Sequence, residues 1–185
     1  MTGTSTAQGN RRFAAAIFIV ALLTVTSARA TEFDAFDRAA QVRASDLIVT
    51  GRVLSVDAAW NRNHSAIVST ANIAIDEVWK GRTATDRLSV VTYGGSVDHV
   101  ALEVEGAARF HDGEQVVLFL KDSSGAYTPL GMRFGKLTIA SVAGRRVALG
   151  DLPPRTRGQT RFEPISVPLG DFHAEIAQLA AQEKK

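Results

Sequence analysis

The chain contains no cysteine. That single absence excludes disulfide staples, thiolate metal ligands, thiol nucleophiles and a lipidated N-terminal cysteine. Tryptophan, tyrosine and methionine occur twice each and proline five times in 185 residues, so large core side chains must come mainly from the nine phenylalanines and the aliphatic residues. The strained G-x-S-x-G turn of a serine hydrolase, the His-x-x-x-His spacing of a zinc site and the calcium-loop pattern are all missing. Nor is there an internal repeat or a long low-complexity segment.

Long apolar runs are scarce too. The conspicuous one is Phe13–Val25 (FAAAIFIVALLTV), 13 uncharged residues preceded by Arg11 and Arg12 and followed by Ala28-Arg29-Ala30. A membrane span needs about 20 such residues. Positive start, short apolar stretch and small-x-small site are the order of a secretory leader, so residues 1–30 are expected to be a signal peptide cleaved before Thr31. An uncleaved anchor is the rival reading, and Arg11-Arg12 leaves twin-arginine export open beside the ordinary route. The expected destination is the periplasm or the extracellular space, with no stable membrane span after cleavage.

Charge of one sign is also lacking once the leader is set aside. The whole chain has 21 Lys+Arg against 19 Asp+Glu; three arginines and no acids fall in residues 1–30, which leaves 18 against 19. A nearly neutral mature chain is not built to bind nucleic acid. Its length suits one domain that buries about 68–70% of its unfolded surface without staples.

What is present is period-two alternation. Residues 31–45 read as a helical lead-in with Phe33, Phe36, Ala39 and Ala40 at helical spacing. From Leu47 to Asp57 both faces are apolar, with Leu47, Val49 and Val53 on one and Ile48, Leu54 and Val56 on the other. Gly51 marks a bend or bulge. After a polar loop, Ile67, Ala71, Ile73 and Ile75 share a face until the phase breaks at Asp76-Glu77. Leu88–Tyr93 is a third strand. Val100, Leu102 and Val104 alternate as an edge strand that would set Glu103 and Glu105 on one side. Val116–Leu120 is short, continuous and apolar, as a strand buried on both faces should be. Tyr127–Met132, Lys136–Ser141 and Arg145–Leu149 follow, the last two joined by an Ala143-Gly144 hairpin. Residues 151–185 read as an irregular proline-bearing segment and a helix capped by Asp171, with Phe172, Ile176, Leu179 and Ala180 on its apolar face. The expected fold is mostly β: an OB-like barrel, closed or partly open, over residues 46–150, with short helices at both ends.

Particular residues sharpen this. Ser45–Val53 (SDLIVTGRV), Glu77–Gly81 (EVWKG), Gly94-Gly95, Arg109-Phe110 with Gly113-Glu114, and Val117–Leu120 (VLFL) resemble a group of exported bacterial proteins, and Gly131-Met132 and Gly135-Lys136 fit its later strands. That group is similar to the netrin-like module of the tissue inhibitors of metalloproteinases, whose fold is an OB barrel. The resemblance covers Asp46 to Ile139 and implies a binding module. The inhibitors chelate a protease zinc through an N-terminal cysteine, so that mechanism carries over to no residue here.

Chemistry-bearing residues are few. Asp98, His99, Glu103, Glu105, His111 and Asp112 are the richest set of candidate metal ligands, against a plain reading as solvated loop residues. His64, His99, His111 and His173 stand singly, and Asn63-His64-Ser65 matches a glycosylation sequon. Trp79 and Phe119 read as core. Trp60 is the candidate exposed aromatic contact. Arg145, Arg146, Arg155, Arg157 and Arg161 form a basic region that could meet an anionic polymer, with Tyr127, Phe134 or Phe162 as stacking surfaces. The expected function is a non-catalytic binding module for an exported or envelope protein, protease-directed or not, that needs no cofactor. A binder of envelope glycan or another anionic polymer is the alternative, with a metal-dependent enzyme behind it.

Overall fold

Two strands that send apolar side chains to both faces organise the molecule. The computed structural model describes residues 37–123, 125–153 and 162–183, all within one unit, Glu32–Lys185. In chain order these form α1 (Arg38–Ala44), β1 (Leu47–Trp60), β2 (Ile67–Lys80), β3 (Arg87–Tyr93), β4 (Gly95–Val97), β5 (Val100–Leu102), β6 (Gln115–Ser123), β7 (Ala126–Pro129), a short 3-10 turn at Met132–Gly135, β8 (Lys136–Val142), β9 (Arg145–Asp151), β10 (Pro164–Pro168) and α2 (Leu169–Gln182). The protein is mostly β, with one short helix at each end of the described chain.

Eight strands make a mixed sheet in the order β1-β2-β3-β7-β6-β8-β9-β10, and β1 also pairs with β6. Pairing therefore runs from β1 through β2, β3, β7 and β6 back to β1, a partial ring whose β3–β7 contact is parallel and rests on the single pair Val90 and Tyr127. One edge of β6 carries β1 along Leu47–Arg52. Its other edge is divided, with β8 beside Val116–Leu118 and β7 beside Leu120–Ser123. The 3-10 turn carries the chain across that division. There Gly135 has no room for a side chain, since a Cβ would lie 2.6 Å from the Leu130 backbone.

The period of two then divides the apolar residues between two cores. Leu47, Val49 and Val53 of β1 and Val116, Leu118 and Leu120 of β6 face the ring interior with Ala71, Ile73, Leu88, Val90 and Phe110. Ile48 of β1 and Val117 and Phe119 of β6 point the other way, onto Val42, Leu137, Ile139, Ala148, Phe172 and Ile176. The helices cover this second core. Asp37 caps α1, its Oδ1 accepting from the Ala40 amide at 2.6 Å. Lys80 Nζ donates to the Val42 and Arg43 carbonyls at the other end of α1 (2.5 and 3.2 Å) and pairs with Glu183 just past α2 (2.7 Å). The Arg38 guanidinium lies over the rings of Phe119 and Phe172.

Several expectations need correction. Leu54 and Val56 do not share the face of Ile48. A register shift between Val53 and Ser55 leaves Leu54 unpaired and 42% exposed, and Val56 crosses to the ring core. The bend expected at Gly51 and the phase break at Asp76-Glu77 are one irregularity: Thr50 pairs with Glu77 and Gly51 with Ile75, so Asp76 is the extra residue. The expected edge strand through Glu105 stops at Leu102, because the chain turns at Val104–Ala107, where the Ala107 amide reaches the Val104 carbonyl. The strand at Tyr127 ends at Pro129 rather than Met132. Residues 151–185 are not irregular throughout: β10 pairs with β9 from Pro164 to Pro168, its prolines at the ends of an edge strand, where a missing amide is tolerated. Asp171 sits in the first turn of α2, and the N-cap is Pro168. Residues 1–36 and 154–161 lie outside the described residues, which takes in the leader, Phe33, Phe36, Arg155, Arg157 and Arg161.

Candidate functional site, a groove beside the β4–β5 hairpin

Where β3 ends, the chain turns back over the ring. Gly94 and Gly95 have φ of 98° and 129°, values that side chains disfavour, and a Cβ on Gly95 would sit 2.5 Å from Ser69 Oγ and 3.0 Å from Ala58 Cβ. Glycine thus lets the β4–β5 hairpin press onto β1 and β2. Ser69, buried among inward apolar neighbours, donates from its hydroxyl to the Gly94 carbonyl at 2.7 Å. Thr92 Oγ1 donates to the Ala108 carbonyl at 3.0 Å and ties the following loop to β3.

Between hairpin and loop lies a groove of about 370 Å³ with Val56, Ala58, Ser69, Leu102, Ala108 and Phe110 among its lining residues. Apolar side chains flank it. Tyr93 is 63% exposed and Val100 49% exposed. Trp60, the candidate exposed aromatic, is the last residue of β1; it is exposed and stacks on His64 with ring centroids 6.2 Å apart. The loop that presents them is braced by Asn61, whose Oδ1 accepts from the Ser65 and Ala66 amides at 2.8 and 3.2 Å. Trp60 pairs with Ile67, whose carbonyl accepts from the Gly94 amide, so the Trp60 loop and the hairpin root are neighbours.

A polar cluster lines a neighbouring hollow of about 580 Å³ that shares Arg109 and His111 with the groove. Lys136 Nζ donates to Glu114 Oε1 and to the Arg109 carbonyl, each at 2.6 Å, and Thr138 Oγ1 donates to the same Glu114 oxygen at 2.6 Å. The His111 amide donates to Glu114 Oε2. Burial works against ionisation of Glu114, but the Lys136 and Thr138 hydrogen bonds, the Lys136 charge and the His111 amide outweigh it and hold the pKa below its ordinary value. Glu103 pairs with Arg109 on the exposed side.

The candidate metal ligands do not converge. Asp98 and His99 sit at the hairpin turn, Glu105 in the turn after it, and His111 and Asp112 in the turn before β6. Among the described residues no three His, Asp or Glu side chains are placed to hold an ion. Of the expected stacking surfaces, Phe134 is fully buried, Tyr127 packs against the ring core, and Phe162 leans edge-on against Phe134. Phe119 is core as expected, and Trp79 packs half-buried against the second core. Arg145 and Arg146 are exposed on β9. Tyr93, Val100, Ser69 and Thr92 were not singled out from sequence. Ser69 could have been, as a polar residue at an inward position of the Ile67, Ala71, Ile73 alternation.

Comparisons with protein-family models, curated proteins and solved structures gave no match. Among the described residues, no helix is long and apolar enough to cross a membrane.

Proposed function

We propose that the chain is an exported, non-catalytic protein-binding module built on an OB-like barrel, as its netrin-like resemblance implies. The five-strand order β1-β2-β3-β7-β6, returning to β1, supports the barrel reading. On such barrels the loop after the first strand is a habitual contact site, and here Trp60 is the last residue of the strand that leads into it. The observation that carries the reading is the exposure of Trp60, Tyr93 and Val100, of which Tyr93 lines the groove, Trp60 ends β1 and Val100 opens β5. Aromatic side chains of this kind are the usual anchors of protein interfaces. The test is crosslinking in envelope extracts followed by mass spectrometry. A partner should be joined near residues 60–64 and 93–100, and the yield should fall at least tenfold when Trp60 and Tyr93 are both alanine. Crosslinks scattered elsewhere, or unaffected by that change, would sink the proposal.

The exposed neighbours Arg145 and Arg146 support a second reading, an envelope glycan or other anionic polymer binder. Binding to lipopolysaccharide that survives replacing both, together with Arg155, Arg157 and Arg161, would eliminate it.

A further inference from the structure

On a different face, β2 carries two extra residues within four positions. Asp76 is unpaired between Ile75 and Glu77, and Trp79 is unpaired between Val78 and Lys80. Bulges re-aim side chains, and these two border the same hollow of about 570 Å³, whose lining also takes in Thr50, Glu77, Gln115, Arg146, Leu169 and His173. Its wall is preorganised. The His173 ring stacks on Trp79 at 4.7 Å and 14°, and Trp79 Nε1 donates to Glu77 Oε2 at 2.9 Å. The other Glu77 oxygen is 3.9 Å from His173 Nε2. Five elements contribute to the hollow: β1, β2, β6, β9 and α2.

Charges of both signs meet here without neutralising each other. Among the described residues, neither Asp76 nor Arg146 has an ion-pair or side-chain hydrogen-bond partner. A simple cation would be drawn to Asp76 and Glu77 but repelled by Arg146, and a simple anion would meet the reverse. We infer that this hollow binds a small zwitterion, an amino acid or short peptide with free termini. Its ammonium is held by Asp76 and Glu77, its carboxylate by Arg146, and its apolar stem lies along Trp79 and Leu169. A guanidinium matches a carboxylate with two parallel donors, and a carboxylate pair matches an ammonium. The inference is independent of the Trp60 surface, which lies on other residues.

The test uses the full chain carrying Trp60→Phe, so that Trp79 is the sole indole, and follows its fluorescence during titration with L-leucine and with the dipeptide leucyl-leucine. Saturable binding at millimolar concentration is expected. Leucine amide, which lacks the carboxylate, and N-acetyl-leucine, which lacks the ammonium, should each bind about tenfold or more weakly. Asp76→Asn should weaken leucine and leucine amide, and Arg146→Gln should weaken leucine but hardly change leucine amide. Both positions are exposed and unpartnered, so unchanged thermal midpoints should confirm that the variants fold. Tighter binding of leucine would identify the free amino acid as the ligand, and tighter binding of leucyl-leucine the peptide terminus. No saturable signal from either probe, or binding indifferent to both substitutions, overturns the inference.

Discussion

Glu114 is the side chain that ties the loop before β6 to β8. One of its oxygens receives Lys136 and Thr138, and the other receives the His111 amide. Its pKa lies lower in the folded protein than in the unfolded chain. The ionised group therefore adds stability that is fully present above the ordinary glutamate value of 4.5 and is lost as pH falls through the folded value. Glu114→Gln should cost about 2 kcal/mol at neutral pH, where it leaves a half-buried lysine without its anion. The difference from the parent protein should shrink in acid. Urea unfolding at both pH values checks this, and an equal loss at both would mean the charge is not responsible. Asp46 is shifted the same way, first by the Lys121 hydrogen bond and then by the Asp122 amide.

At the scale of elements, the β4–β5 hairpin and the helix pair each hang on a small set of contacts. Gly95→Ala meets both a positive φ and Ser69 Oγ at 2.5 Å, a strain of about 1–3 kcal/mol. Hydrogen exchange should quicken in β4 and β5 while the amides facing the ring core stay protected. Adding Ser69→Ala should restore part of the hairpin's protection, and no rescue would place the strain elsewhere. Lys80→Met removes the donor that closes α1 and reaches Glu183. A loss of about 1–2 kcal/mol in thermal or urea unfolding is expected, and no measurable loss would show the clamp to be ornamental. Elements were also where the sequence was most readable. The alternation of Ile67, Ala71 and Ile73 announced β2, and the unbroken run Val116–Leu120 announced a strand buried on both faces. Leu54 was not readable, because a one-residue bulge leaves alternation intact on either side and shows only against its partner strand. The Tyr93–Val100 surface was equally hidden, since exposure of an apolar residue depends on what the fold fails to bring over it.

For the whole molecule, the export reading makes a direct prediction. Mass spectrometry of protein from the envelope should find Thr31 as the first residue, and an intact Met1 or a start elsewhere would refute the expected cleavage after Ala30. A second consequence comes from β6, the strand that faces both cores. The five-strand ring cannot be excised as a minimal unit, because a fragment ending at Pro129 would turn Val117 and Phe119, and Ile48 of β1, from protein to water. Such a fragment should aggregate or bind a hydrophobic dye, whereas a chain kept through α2 should do neither. The same strand limits where the chain can vary. Loops around Trp60 and Asp98 can change without touching β6, but no insertion can enter β6 without unsealing two interiors at once, so the face proposed for binding is also where the fold leaves sequence free to drift.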